Sequence, residues 1–117
     1  MILTMFFITF EQTYIDITPQ EAIEMIKKDK NVVILDVRTK EEFSSGHIKG
    51  AINIPVQELE ERIKELAKYK NNKIIVYCRS GNRSRKASEI LIENGFKDVY
   101  NVKGGILEWK KYEKISP

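Results

Sequence analysis

The sequence predicts an α/β fold, a parallel sheet with helices on both faces. Three observations predict it. Short apolar runs rich in Val and Ile recur along the chain, as strands buried on both faces require. Amphipathic stretches with helix-start signals separate these runs. Finally, 117 residues, 42% hydrophobic and 32% charged, suffice for one compact core. Strands alternating with helices pair in parallel through right-handed crossovers, and such sheets carry their sites beyond the carboxyl ends of the strands.

The elements follow in order. Residues 1–10 are nearly all apolar, but they carry no Lys or Arg, no small-residue cleavage site follows, and about 20 apolar residues are needed to span a bilayer. They are expected as an extension, an extra edge strand or apolar strap, with a weak export signal or a partner contact as the alternative. The division is thus an extension over residues 1–13 and one domain over residues 14–117. The first strand is predicted at residues 14–17. Thr18 before Pro19, with Glu21 three residues after Thr18, gives a capping box, and Ala22, Ile23 and Ile26 form one apolar face of the helix it opens. Further strands are predicted at 32–35 and 51–54. Leu59, Ile63, Leu66 and Ala67 fall at i, i+4, i+7 and i+8, which predicts a second amphipathic helix. A fourth strand at 74–77 leads to a helix whose stripe is Ala87, Ile90 and Leu91, ended by Asn94-Gly95. A fifth strand at 99–102 precedes Gly104-Gly105, which opens a short last helix carrying Ile106 and Trp109.

Composition narrows the chemistry. The single cysteine, Cys78, excludes an intramolecular disulfide and any multi-thiolate metal or iron–sulfur site within one chain, and mildly favours a reducing compartment such as the cytoplasm. The lone His47 excludes His-rich metal sites; no cofactor or metal is expected. The net charge of +3 is too small to predict nucleic-acid binding or membrane insertion. It is also local. Arg79, Arg83, Arg85 and Lys86 give residues 78–88 a charge of +4, leaving 16 basic against 17 acidic residues elsewhere.

That basic segment runs from a buried strand through Gly81-Asn82, which tolerate positive φ, into a helix. Such a turn aims successive backbone N–H groups inward as an anion-binding nest, and the following helix adds its positive dipole end. A free cysteine is ordinarily a small buried hydrophobe. A merely structural turn, however, would not need four cations around it. Cysteine pKa values fall to about 3.5–7.5 beside helix N-termini and cations, so Cys78 is expected to be a nucleophilic thiolate at neutral pH. Spacing then discriminates among thiolate enzymes. Arg83 follows Cys78 one residue sooner than in the phosphate-cradling loop of protein tyrosine phosphatases, and the smaller ring suits transfer of a single sulfur atom better than transfer of a phosphoryl or arsenate group.

Several ordered motifs together resemble the single-domain rhodaneses, thiosulfate-type sulfurtransferases, over almost everything from Tyr14 to Trp109. They are Asp16-Ile-Thr-Pro, Ile34-Leu-Asp-Val-Arg38, Glu42-Phe-Ser-Ser-Gly-His47-Ile-Lys-Gly-Ala51-Ile-Asn-Ile-Pro55, Cys78-Arg-Ser-Gly-Asn-Arg83-Ser and Gly104-Gly-Ile-Leu-Glu-Trp109. The resemblance implies a three-layer α/β domain with a five-stranded parallel sheet and a six-residue active loop from Cys78 to Arg83. It implies that Cys78 takes a sulfane sulfur from a small anion such as thiosulfate and passes it to cyanide or a thiol. Arg79, Ser80, Gly81, Asn82 and Arg83 would bind substrate, the loop amides stabilising the persulfide and the two arginines orienting the departing sulfite. Asp36 and Arg38 would support the loop from behind. His47 is expected to satisfy backbone groups in its turn, Asn53 and Pro55 to be turn residues, Phe43 and Trp109 to be core, and residues 110–114 to be a solvated face. Two other readings remain at this point: a Cys-based phosphatase or arsenate reductase, and a persulfide carrier or interaction module whose acceptor is a protein.

Overall fold

The computed structural model describes residues 13–115. The expectation for residues 1–10 lies outside them. Strand β1 (Ile15–Ile17) leads to α1 (Pro19–Lys28), β2 (Val33–Asp36), α2 (Lys40–Ser44) and β3 (Ile52–Asn53). Two 3-10 segments (Val56–Glu58 and Ile63–Tyr69) then precede β4 (Ile74–Tyr77), α3 (Asn82–Glu93), β5 (Val99–Val102) and α4 (Gly105–Trp109). All five strands are parallel, in the order β1-β5-β4-β2-β3. The predicted five-stranded parallel α/β architecture is therefore the observed one.

Side-chain alternation divides the core into two layers, because successive strand residues point to opposite faces. Val33, Leu35, Ile74, Val76, Cys78 and Val99 pack with Ala87 and Leu91 of α3 on one face. Ile34, Ile75, Tyr77 and Val102 pack with Ala22 of α1 and Ile106 and Trp109 of α4 on the other. The central strands β2 and β4 are buried along their whole length, which is why they read as unbroken apolar runs.

Two departures are local. The stretch expected as an amphipathic α-helix forms the 3-10 segments instead, with i→i−3 bonds such as Leu59 N–H to Val56 O and Glu65 N–H to Arg62 O. Neither segment starts on a side-chain cap, and the buried anchors Leu59 and Leu66 are separated by a turn. Burial of single anchors, rather than propagation from a nucleated start, sets the geometry. The other departure is α2, an element additional to the expected series. It opens on a second capping box, Thr39 with Glu42. Trp109 is fully buried, as expected, whereas Phe43 is only half-buried and stacks on His47 with ring centroids 3.7 Å apart. Residues 110–114 are exposed. Among the described residues, no helix is long and apolar enough to cross a membrane.

Candidate active site

The loop between β4 and α3 is built on Gly81, which takes φ +115° and serves as N-cap of α3 with no side-chain cap. Asn82 does not share the positive φ; it is the first residue of α3. With no capping side chain, the first-turn amides of α3, Ser84 among them, are left for the cysteine. The Gly81 N–H donates to Cys78 Sγ at 3.0 Å. Cys78 Sγ also lies 3.4 Å from Ser84 Oγ, and that hydroxyl donates to Gly81 O at 3.1 Å. The thiol is 1% exposed and shares the core layer with Val76 and Ala87. Burial pushes its pKa up, but the Ser84 hydroxyl and the amides of Ser84, Gly81 and Ser80 outweigh burial and hold it below the ordinary value. The direction agrees with the expected activated thiol. As a neutral thiol, Cys78 donates to Ser84 Oγ. Once ionised it can only accept, so the hydroxyl proton is free to turn from Gly81 O to the sulfur.

The cations divide into two kinds. Arg79 is exposed at the rim with Ser80 and Asn82. Arg83 makes a bidentate pair with Glu42 of α2, at 2.6 and 2.9 Å. Two of its donors are thus taken, and the loop is less cationic than its composition suggests. The Arg83 hydrogen bonds are the largest influence on the Glu42 carboxyl, which falls to about 2. Arg83 is raised in turn, by Glu42 first and in smaller part by the field of Cys78. Glu42 is itself held in the α2 capping box by Thr39, with both bonds at 3.1 Å.

Asp36 and Arg38 do meet, in a buried pair at 2.6 Å. The Arg38 guanidinium also donates to Gly46 O at 2.7 Å and lies over the Tyr77 ring. The pair braces the connection from α2 to β3 and touches Tyr77, the residue before Cys78. Asn53 is more than a turn residue: its side chain donates to Asp36 O and Arg38 O, at 3.0 Å each. His47 Nδ1 lies 2.9 Å from Phe43 O, the backbone-satisfying role expected of it.

Sequence reading singled out neither Glu42 nor Ser84 as a site residue, nor the amino-terminal turn of α4, where Ile106 and Leu107 donate N–H groups to Cys78 O and Arg79 O at 2.9 and 3.2 Å. The Thr39-x-x-Glu42 spacing was a legible signal for α2, and Ser84 stands next to Arg83. Nothing local pairs Glu42 with a residue 41 positions away.

Comparison with known proteins follows the same lines. The family model described as Rhodanese-like domain matches residues 18–112. The chain is 40% identical over 92 residues to the tRNA uridine(34) hydroxylase of Buchnera aphidicola subsp. Baizongia pistaciae, covering 75% of this chain and 30% of that protein. It is 39% identical over 95 residues to the putative sulfur carrier protein YrkF of Bacillus subtilis, covering 78% of this chain and 50% of the relative. It is 41% identical over 93 residues to a putative mitochondrial thiosulfate sulfurtransferase of Schizosaccharomyces pombe, covering 69% of this chain and 65% of the relative. This chain therefore spans about a third to two-thirds of these relatives. A crystal structure of a rhodanese-related protein from Thermoplasma volcanium superposes with a TM-score of 0.77 at 36% identity, covering 87% of this chain and 97% of that one.

Proposed function

The chain belongs to the rhodanese-like domain family, and we propose that it is a sulfurtransferase working through a persulfide on Cys78. The observation that supports this most is the Cys78 sulfur itself, held by the Gly81 N–H at 3.0 Å and acidified in spite of its burial. With thiosulfate as donor, the Cys78 thiolate attacks the sulfane sulfur. The S–S bond of the donor breaks, sulfite leaves with the electron pair, and a Cys78 persulfide remains. Cyanide or a thiolate then attacks the outer sulfur; the Cys78 thiolate departs with its electron pair, and thiocyanate or a new persulfide is released. Splitting the transfer this way replaces one difficult step by two displacements.

In this reading the amides of residues 79–83 hold the negative sulfur in both steps, fixed in place before the reaction begins. Arg79, exposed at the rim, meets the departing anion, with Ser80 and Asn82 beside it. Arg83 acts from its fixed position on Glu42. Asp36 and Arg38 hold the strand ends on which the loop stands. Residues 14–117 are the sulfur-transferring domain, and residues 1–13 are an extension to it. A reducing compartment such as the cytoplasm suits a thiolate that must not oxidise.

The test is to incubate the protein with thiosulfate, look by intact mass for one added sulfur atom, and then add cyanide and assay thiocyanate. Failure to gain sulfur, or equal gain by Cys78→Ser, overturns the reading. A second reading, a carrier that delivers sulfur to a protein thiol, is favoured by the exposed Arg79, Arg85 and Lys86 around the loop and by likeness to a putative sulfur carrier protein. Saturable turnover with small thiols and none with protein acceptors would count against it.

A further inference from the structure

An anion-binding loop has a structural debt of its own. If its N–H groups point inward to a sulfur, the carbonyls of the same peptide units must point outward, because the trans peptide is planar and its N–H and C=O are opposed. Those outward carbonyls need partners. Here they find them in α4. The Ile106 N–H donates to Cys78 O at 2.9 Å and the Leu107 N–H to Arg79 O at 3.2 Å. Both amides lie in the first turn of α4, where a helix offers its N–H groups no partner of its own. The approach is close enough to demand glycine. Gly105 has φ +60°, and a Cβ there would come within 2.5 Å of both Cys78 O and Arg79 O. Behind it, Gly104 N lies 3.6 Å from where a Cβ of Gly81 would be, so the glycine turn runs along the underside of the loop.

We propose that the amino-terminal turn of α4 is a working part of the loop: Gly105 permits its approach, and the Ile106 and Leu107 amides hold the Cys78 and Arg79 carbonyls outward, so that the Ser80 amide, opposed to the Arg79 carbonyl, faces the sulfur. The linkage is direct at one peptide. The Arg79 carbonyl shares its plane with the Ser80 N–H, and that N–H is one of the groups that acidify Cys78. Fixing the carbonyl fixes the donor, and a hydrogen bond on the carbonyl polarises the peptide and strengthens it. Gly105, Ile106 and Leu107 are thus positioning residues for the cysteine, acting through the backbone from an element beyond the next strand. The inference rests on the reading of Cys78 as the reactive thiol.

The experiment reads thiol acidity without any sulfur donor, as the pH dependence of Cys78 alkylation by iodoacetamide. Leu107→Pro deletes the N–H that serves Arg79 O, at an exposed position in the first turn of α4, where the ring has no helical carbonyl four residues back to meet; Leu107→Ala removes the same side chain but keeps the N–H. The midpoint for Leu107→Pro is expected about half a unit or more above that for Leu107→Ala, with alkylation about threefold slower at a pH below both midpoints. Gly105→Ala shifts the midpoint further in the same direction. Coincident midpoints in folded variants overturn the inference. If neither Leu107→Pro nor Gly105→Ala folds, the wild-type protein decides: its Ile106 and Leu107 amide proton resonances are expected to move with the Cys78 titration, and resonances unmoved by it overturn the inference. Wild-type sulfur uptake from thiosulfate, read in parallel by mass, tests the sulfurtransferase reading separately, since its absence overturns that reading alone.

Discussion

Two connections leave neighbouring strands at the same edge of the sheet, one after β2 and one after β4, and they begin alike. At the first, Asp36 Oδ1 accepts the Arg38 N–H at 2.9 Å; at the second, Cys78 Sγ accepts the Gly81 N–H at 3.0 Å. The two strands run in register, with Asp36 opposite Tyr77. What differs is the counterion. Asp36 is closed by the buried Arg38 guanidinium, and the α2 start behind it is closed by the Thr39 box. Cys78 has amides and a hydroxyl but, among the described residues, no cation bound to it, since Arg83 is engaged with Glu42. An anion that has its own cation is a brace. One held by neutral donors, amides and a hydroxyl, keeps its lone pairs available to an incoming electrophile.

Removing one partner of the brace should have the largest effect. Asp36→Ala leaves Arg38 buried and uncompensated, with an expected loss of about 3–5 kcal/mol in urea-unfolding stability. A loss below about 1 kcal/mol would mean that the pair is not the closed counterpart described above. On the open side, Ser84→Ala removes a group that acidifies the thiol. Hydrogen bonds to charged groups contribute about 1.5–3 kcal/mol, and the 3.4 Å separation argues for the low end. The midpoint of Cys78 alkylation should therefore rise by about one unit, and an unmoved midpoint would leave the hydroxyl with packing alone. Thr39→Ala opens the closed helix start and should cost about 1 kcal/mol in thermal unfolding. Because Thr39 also holds Glu42, the Arg83 side-chain resonances should broaden or shift as well; their invariance would separate the cap from the clamp.

The smallest effect concerns the Glu42 to Arg83 pair itself. The folded carboxyl titrates at about 2, below its ordinary value of 4.5. A group depressed on folding contributes stability above its unfolded pKa, and that contribution is lost as pH falls from about 4.5 to about 2. Wild type should therefore exceed Glu42→Gln in stability at neutral pH, by up to about 1 kcal/mol for a partly exposed pair. The difference should shrink through that range and vanish by about pH 1 in acid-unfolding curves. A gap that persists at that pH would assign the effect of Glu42→Gln to packing.

Much of this was legible from local pattern. Strands β2, β4 and β5 follow from their apolar runs, and α1 from the Thr18, Pro19 and Glu21 signals. The cysteine loop was marked by a strand end, a glycine and a cluster of cations. The stretch from Val56 to Tyr69 folds as 3-10 segments because a helical stripe of Leu59, Ile63, Leu66 and Ala67 states which residues are apolar, not whether one continuous helix can be nucleated there. The α2 box has the same spacing as the one at Thr18 and is as legible in the sequence.

By itself, then, the sequence determined the alternation of strands and helices and the place of the one cysteine at the end of a buried strand. These depend on residues near in the chain, through side-chain period, capping and turn chemistry. Only the tertiary structure decided what stands around that cysteine. Because β4 lies between β2 and β5, the loop after it is flanked by α2, which takes up Arg83 through Glu42, and by α4, which holds the loop carbonyls. Strand order is set by the packing of both faces of the sheet at once, and no local stretch of sequence carries that information.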